Sequence, residues 1–599
     1  IKLLIMSLFN AFTYRQPAPS GSIFDLSGDV VGTLDFGVPY RPIFCREVVP
    51  GDKWRLKLST FTRLSAMVLP TFGRIRVVNR FFYVPMNIIH DAWNEFLSGQ
   101  DISVREGDTL SRITPSVIKL TNRNMCEAFT KASTFSTYDG VPLVEQVSDS
   151  ATSYDFVWKT SASATPHKYV FKKRGRQVFN VLLGLGFLPR FKFEDTQSFS
   201  AMPLLAYAKI CYDWLVDSNF VNSVDFEVQG LFRWSYGILE PNEIYTILRI
   251  FATCYEKDYF TAAWQSPNQV DQTMYGNPFS SQLITPTMVD GGDNQVFNDK
   301  SATVISPYHT QNLSQTGLDL LSSLASYVRR RLFTGFRVDK QMETTYGLKM
   351  DSEDARRSYY LGSVEVPVSI SDVMSTAQTT NSDVVTHLGE YAGKGIGYED
   401  GYITFDNDKP EFGFIICLSA IVPDTSVVQG RSRETFHLNK EDYYDPSFDI
   451  FAPQTIRNDE LNLDWANIDS DSAYSIFGYA PRFAEYKSGA QTNKLLGDYR
   501  FRTSNGFGEM DSFHLFRLFS SDDGTVIQPI NNYSFKTTAD SSQFSRIFAI
   551  SETMEEHFNL IWHFDVKVFR KMTPINDLSQ EYGRGHVDHM KHSDDLLHG

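Results

Sequence analysis

Between Lys53 and Leu64 the chain reads KWRLKLSTFTRL, and its apolar positions Trp54, Leu56 and Leu58 alternate with Lys53, Arg55 and Lys57. A period of two belongs to a strand with one face buried and one face wet. The wet face is basic, so it is either solvated or met by something acidic. FNLIWHFDVKVF keeps the same period without a break through Phe558, Leu560, Trp562, Phe564, Val566 and Val568. EFGFIICLSAIVP is nearly continuous in its apolar character up to Pro423, as expected of a strand covered on both sides. RIRVVNRFFYVP, from Arg74 to Pro85, is a further strand closed by its proline.

Helical spacing interrupts this pattern. PLLAYAKICYDWL places Pro203 at a first-turn position and Leu204, Tyr207, Ala208, Cys211, Trp214 and Leu215 on one side. PNEIYTILRIFATCYEKDYF repeats the device from Pro241, with Ile244, Ile247, Phe251 and Cys254 on its stripe. GLDLLSSLASYVRRRLF carries Leu318, Leu321, Leu324, Val328 and Leu332 and ends on Arg329, Arg330 and Arg331, which suit a helix C-terminus. Stretches near 131–166 and 265–315 are rich in Ser, Thr, Asn, Gly and Pro. They read as long loops that project outward, the second of them on a surface. The architecture expected is mainly β with inserted helices.

Length alone would allow about four domains, but the strands at both ends favour one elaborated unit. Aromatic residues make up 14% of the chain, with 47 Phe and 29 Tyr, which favours strands and broad contact surfaces over helical bundles. The formal charge of -15 excludes a general polycation, so any contact with nucleic acid has to be local. The five cysteines show neither a C-x-x-C pair nor metal-like spacing and read as reduced thiols. No apolar run is long enough to span a bilayer. Met6-Ser7 is a candidate start, which makes residues 1–5 a candidate read-through.

Searches for catalytic chemistry return little. GEYAGKGIGYEDG, from Gly389, is one residue short of a phosphate-binding loop and reads as a flexible loop. No H-E-x-x-H, G-x-S-x-G or calcium-loop pattern occurs. The tail carries His586, His589, His592 and His598, which reads as a solvated or pinned segment rather than a metal site. Glu555-Glu556 and Asp522-Asp523 read as surface charge rather than a glycosidase pair. These results point to no enzyme, no metal and no cofactor.

One basic island stands out in HKYVFKKRGRQVF, where Lys168, Lys172, Lys173, Arg174 and Arg176 lie among Tyr169, Phe171 and Phe179. Cations interleaved with aromatics suit single-stranded nucleic acid, because phosphates take the charge and unstacked bases take the rings. The candidate contact residues are Lys172, Lys173, Arg174, Arg176 and Phe171; the alternatives are a solvated turn or a salt-bridging contact between subunits.

FDLSGDVVGTLDFG (24–37) and the following EVVPGDKWRLKLSTFTRLSAMVLPTFGRIRVVNRFFYVPMNIIHDAWNEFLSG resemble the N-terminal part of the major capsid proteins of microviruses, on the gokushovirus-like side. MPLLAYAKICYDWLVDSNF, DYFTAAWQSPNQ, FGFIICLSAIVPDTSVVQG and SIFGYAPRFAEYKSGAQTNKLLGDYRF continue the resemblance in order along the chain. The resemblance implies an eight-stranded antiparallel viral jelly roll with long inserted loops and several helices. Residues 1–23 would form an N-terminal arm and 24–599 one capsid domain, with a divergent stretch at about 101–200 and the projection at 265–315. It further implies a T=1 icosahedral homo-oligomer, built from pentamers in the bacterial host cytoplasm, around circular single-stranded DNA. Its partners would be a small basic DNA-binding protein, a scaffolding protein and a pilot protein of the same phage, and a host surface receptor. A carbohydrate-active or carbohydrate-binding β-sandwich would share the strands and the aromatics and stands as the alternative.

Overall fold

The computed structural model describes residues within 21–215, 237–263, 338–487 and 548–572, with short gaps inside those ranges. Nine strands form the main antiparallel assembly: β1 (Ser22–Asp25), β2 (Gly28–Leu34), β3 (Arg41–Val48), β4 (Lys53–Leu64), β5 (Arg74–Pro85), β6 (Tyr359–Met374), β7 (Tyr391–Asp406), β8 (Gly413–Asp424) and β9 (Phe558–Arg570). β1 and β2 lie end to end along the edge of β9. They are joined across a break where Leu26 N donates to Val566 O and Val566 N donates to Ser27 Oγ, so they count as one interrupted strand.

With that pair taken as the first of eight, one sheet runs 1-8-3-6 (β1/β2, β9, β4, β7) and the other 5-4-7-2 (β6, β5, β8, β3). This is the order of a jelly roll, and the curl has a visible hinge. β6 pairs with β5 over Tyr359–Val368 and then leaves it to pair with β7 over Ser369–Met374. One strand thus belongs to both sheets.

Two cores result, and β5 and β8 serve both. Ile75, Val77, Phe81 and Tyr83 of β5, with Ile415, Cys417 and Ile421 of β8, face the inside of the sandwich. There they meet Trp54, Leu56 and Leu58 of β4 and the alternating apolar set of β9. The intervening residues Phe82, Val84, Phe414, Ile416, Leu418 and Ala420 face a second core built with helices. The continuous apolar run of β8 is therefore a strand buried on both faces, as its sequence suggested.

The helices of that second core include α1 (Asn122–Thr130), α2 (Lys173–Gly184), α3 (Met202–Ile210) and α4 (Pro241–Arg249). α3 departs from the one-sided stripe expected of it: Leu205 and Ala206 are as buried as Leu204 and Tyr207. It is enclosed nearly all round, and the chain continues through a π-helical turn, Cys211–Leu215. In α4, Ile244 and Ile247 are fully buried as expected, while Phe251 and Cys254 lie outside the described residues. So do the 318–332 helix, the 265–315 loop, Asp522-Asp523 and the His-bearing tail.

Two loop expectations are corrected. The glycine-rich run after Gly389 is the strand β7, paired with β4 from Ile396 to Asp406. Its glycines suggested a loop, but a Cβ at Gly401 would overlap the Val364 side chain, so that glycine makes room for the facing strand. The stretch near 131–166 also contains regular structure. Strands Val144–Val147 and Phe156–Trp158 flank His167–Phe171 in a three-stranded sheet, with Phe156 and Trp158 buried in the helical core.

A polar link joins the two sheets inside the sandwich. Trp562 Nε1 donates to Asn79 Oδ1 at 3.2 Å, and Asn79 Nδ2 donates to Thr60 Oγ1 at 3.2 Å. Trp562 and Asn79 are fully enclosed, so the indole N–H has no water to fall back on. Trp562→Ala is expected to cost about 3–5 kcal/mol through the cavity, and Asn79→Ala about 1–3 kcal/mol through the orphaned donor. Denaturant midpoints of the purified chain check both; a smaller loss for Trp562→Ala than for Asn79→Ala would contradict this account of the core.

Candidate genome-contact and assembly surfaces

The basic island divides between a strand and a helix. His167–Phe171 is the central strand of the small sheet, and Lys173 opens α2. α2 lies close on the jelly roll, since a Cβ at Gly184 would overlap the carbonyl oxygen of Pro42 in β3. Alternation along the strand and the helical turn that follows send the island's side chains in different directions.

Lys173 points inward. Its Nζ lies 2.7 Å from Asp35 Oδ2, and His557 Nδ1 lies 3.2 Å from both Asp35 oxygens. Asp35, Lys173 and His557 are all buried. Asp35 follows the last residue of β2 and His557 precedes the first residue of β9, and those two end residues, Leu34 and Phe558, pair with each other. Lys173 thus ties α2 to the point where the first and last strands of the jelly roll meet. Nearby, Arg41 reaches both oxygens of Glu556, at 2.8 and 3.1 Å, as well as the Thr33 carbonyl oxygen, and Thr33 Oγ1 donates to Glu556 at 2.6 Å.

Phe171 is also engaged within the chain. Its ring lies 5.1–5.8 Å from those of Phe129, Phe156, Phe179 and Phe191. Lys172 is half-exposed and pairs with Glu145 at 3.3 Å. Lys168 Nζ donates to the Ala151 carbonyl oxygen and lies over the Tyr154 ring. Arg174 is half-buried, and Arg176 is exposed. Of the five candidate residues, Lys173 and Phe171 are committed to internal structure, and Arg176 faces water most fully.

The basic face of β4 is met by the neighbouring strand of the same chain. Lys57 lies 3.2 Å from Asp400, and Arg55 lies 3.0 Å from Asp406, both on β7. Ser59 and Tyr398, with Lys57, hold the Asp400 carboxyl below its ordinary range. Glu556, one half of an acidic pair read as surface charge, is instead held by Arg41 in a largely buried ion pair. Sequence spacing could not show this, because the partners are separated by 515 residues. Among the described residues no group of His, Cys, Asp and Glu is arranged to hold a metal ion. Cys45, Cys126, Cys211 and Cys417 are free of disulfides.

A two-sheet jelly roll with a third layer folded onto one face is a frame that viral capsid proteins use. The chain belongs to the phage capsid protein (F protein) family, whose profile matches residues 18–140 and 184–579. It is 23% identical to capsid protein VP1 of Chlamydia phage 1 over 557 residues, covering 84% of this chain and 87% of that protein. It is 19% identical to capsid protein VP1 of Bdellovibrio phage phiMH2K over 520 residues, covering 80% and 82% respectively. It is a structural protein of the virion, not an enzyme. The unmatched residues 141–183 hold the small three-stranded sheet and all of α2 but its last residue.

Removing one member of a buried ion pair strands the other. Lys173→Met is therefore expected to destabilise the chain by about 3–5 kcal/mol, and Lys173→Met with Asp35→Leu by less than the sum of the two single changes. A double-mutant cycle on unfolding midpoints measures the coupling. Strict additivity would show that Lys173 and Asp35 do not act as a pair.

Proposed function

We propose that this chain is the subunit of a T=1 icosahedral shell, built from pentamers, that encloses a circular single-stranded DNA genome and forms in the bacterial host cytoplasm. The observation that carries the reading is the 1-8-3-6 and 5-4-7-2 strand order in a chain of the phage capsid protein family. A sandwich closed by its own core can present its loops and edges to neighbours without unfolding, which is what a repeated shell position requires. The companions are a small basic DNA-binding protein, a scaffolding protein and a pilot protein of the same phage, together with a receptor on the host surface. A basic companion fits a subunit of charge -15, which offers a packaged polyanion little bulk attraction. No feature of the described residues or of the relatives favours the carbohydrate-binding alternative.

Electron microscopy of the purified full-length product tests the shell: closed isometric particles are expected, and a product that sediments only as a small soluble oligomer under conditions that support assembly would exclude it. Within this reading the island's contribution to DNA binding comes from Lys172, Arg174 and Arg176, with Lys173 acting as their anchor. Lys172→Gln with Arg176→Gln is expected to leave folding intact. It should flatten the dependence of log affinity on log salt by about 0.7 for each single-strand phosphate no longer neutralised. An unchanged slope, measured with a labelled oligothymidylate, removes the island from the genome-binding surface.

A further inference from the structure

The outer faces of the two sheets differ. The outward faces of β5 and β8 are covered by the helical core, whereas the outward side of β2-β9-β4-β7 carries exposed apolar side chains. Val31 is 75% exposed, Ile561 44%, Phe61 39% and Tyr398 62%. They are not scattered. Val31 pairs with Ile561, Ile561 with Phe61, and Phe61 with Tyr398, so the four form one row across four strands. On β7 the row is flanked on the same side by exposed Ile396 and Tyr402.

The row is held in place. Tyr398 hydrogen-bonds the Asp400 carboxylate, which also takes Ser59 and Lys57. Beyond the row, Asp400 and Asp406 on this face have cationic partners in Lys57 and Arg55, Asp29 lies against the His563 ring, and Asp565 on the same face makes no ion pair among the described residues. Arg63, one outward position along β4 from Phe61, and Lys53 are exposed and make no ion pair among the described residues.

We propose that this row is a stacking platform for single-stranded DNA and that this exposed sheet face forms part of the shell's inner wall. The inference rests on the shell reading above and names the surface that touches the genome. Exposed rings on adjacent strands of an open sheet can bind unpaired bases without regard to sequence. Neighbouring strands lie about 4.8 Å apart, more than the roughly 3.4 Å rise per base of a duplex strand. A chain following the row must be drawn out of its own stack; Phe61 and Tyr398 replace the stacking it gives up, and Val31 and Ile561 extend the apolar track. Its phosphates then find Arg63 at one flank, while Lys57 and Arg55 offset the charge of Asp400 and Asp406. A second copy of the protein fits this face less well. Apart from Ile396 on β7, the apolar row is one residue wide, and a protein partner covering it would have to desolvate the ion pairs beside it.

The test uses the full-length chain and a single-stranded oligothymidylate carrying 5-iodouracil. Photocrosslinks mapped by mass spectrometry are expected at Tyr398 or Phe61. Crosslinks confined to α2 or to other surfaces would overturn the proposal, and this measurement needs no variant. Phe61→Ala with Tyr398→Ala should then weaken oligonucleotide binding by about tenfold or more per ring, with little change in the salt slope. Phe61→Tyr should retain affinity, and Arg63→Gln should flatten the slope. If the double variant binds DNA as tightly as the unaltered chain but no longer forms particles, the row is a subunit interface; the proposal then falls and the shell reading stands. If the unaltered chain forms no particles, the shell reading fails separately, and the crosslinking map still decides where DNA sits.

Discussion

The double burial of β5 and β8 is the constraint from which the rest of the described structure follows. A strand with apolar residues on alternate sides cannot leave either face in water. Phe414, Ile416, Leu418 and Ala420 on one face of β8, and Ile415, Cys417 and Ile421 on the other, demand two separate partners. One partner is the opposite sheet. The other has to be supplied by a different part of the chain, and it is supplied between β5 and β6, where α1 to α4 and the small sheet are all located. The described part of the excursion between these two adjacent strands is thus structural: it covers β5 and β8, which would otherwise expose an apolar surface.

Layering of this kind leaves a seam where the first and last strands of the jelly roll meet, far from the covering helices in sequence. The buried group Asp35, Lys173 and His557 lies at that seam and joins three distant segments at once. Arg41 and Glu556 add a second tie beside it. Replacing such pairs with apolar residues can preserve stability, but it would remove their directional preference. An ammonium that must meet one carboxylate fixes how far α2 slides along β3, which is a matter of register. The segment so fixed, 141–183, is the part of the described fold that the family profile does not match, and its anchor reaches from it into matched sequence at Asp35 and His557.

Much of the jelly roll was legible because period two survives in β4, β5 and β9 and because a continuous apolar run marks β8. The failures have physical causes. β7 was hidden by Gly393, Gly395, Gly397 and Gly401, which read as loop chemistry, although Gly397 and Gly401 sit where the facing strand β6 approaches and Gly395 lies against Leu64 of β4. The strands near 144 and 156 are too short for periodicity to accumulate, and only their tertiary setting makes them strands. Lys173 was indistinguishable from Lys172 in sequence, since each is a cation in a basic run. What separates them is a partner 138 residues away, which local spacing cannot encode.

The two cation-bearing regions of the sequence follow one principle. The basic face of β4 spends Arg55 and Lys57 on β7, and the island spends Lys172 on Glu145 and Lys173 on Asp35. In a chain with 56 basic and 71 acidic residues, these four cations are matched by carboxylates of the same subunit. Counterion release scales with the phosphates neutralised, so cations already matched by carboxylates add less to it than free ones would. On the proposed stacking row, affinity would come from ring contacts that depend weakly on salt, repeated at each copy of the subunit.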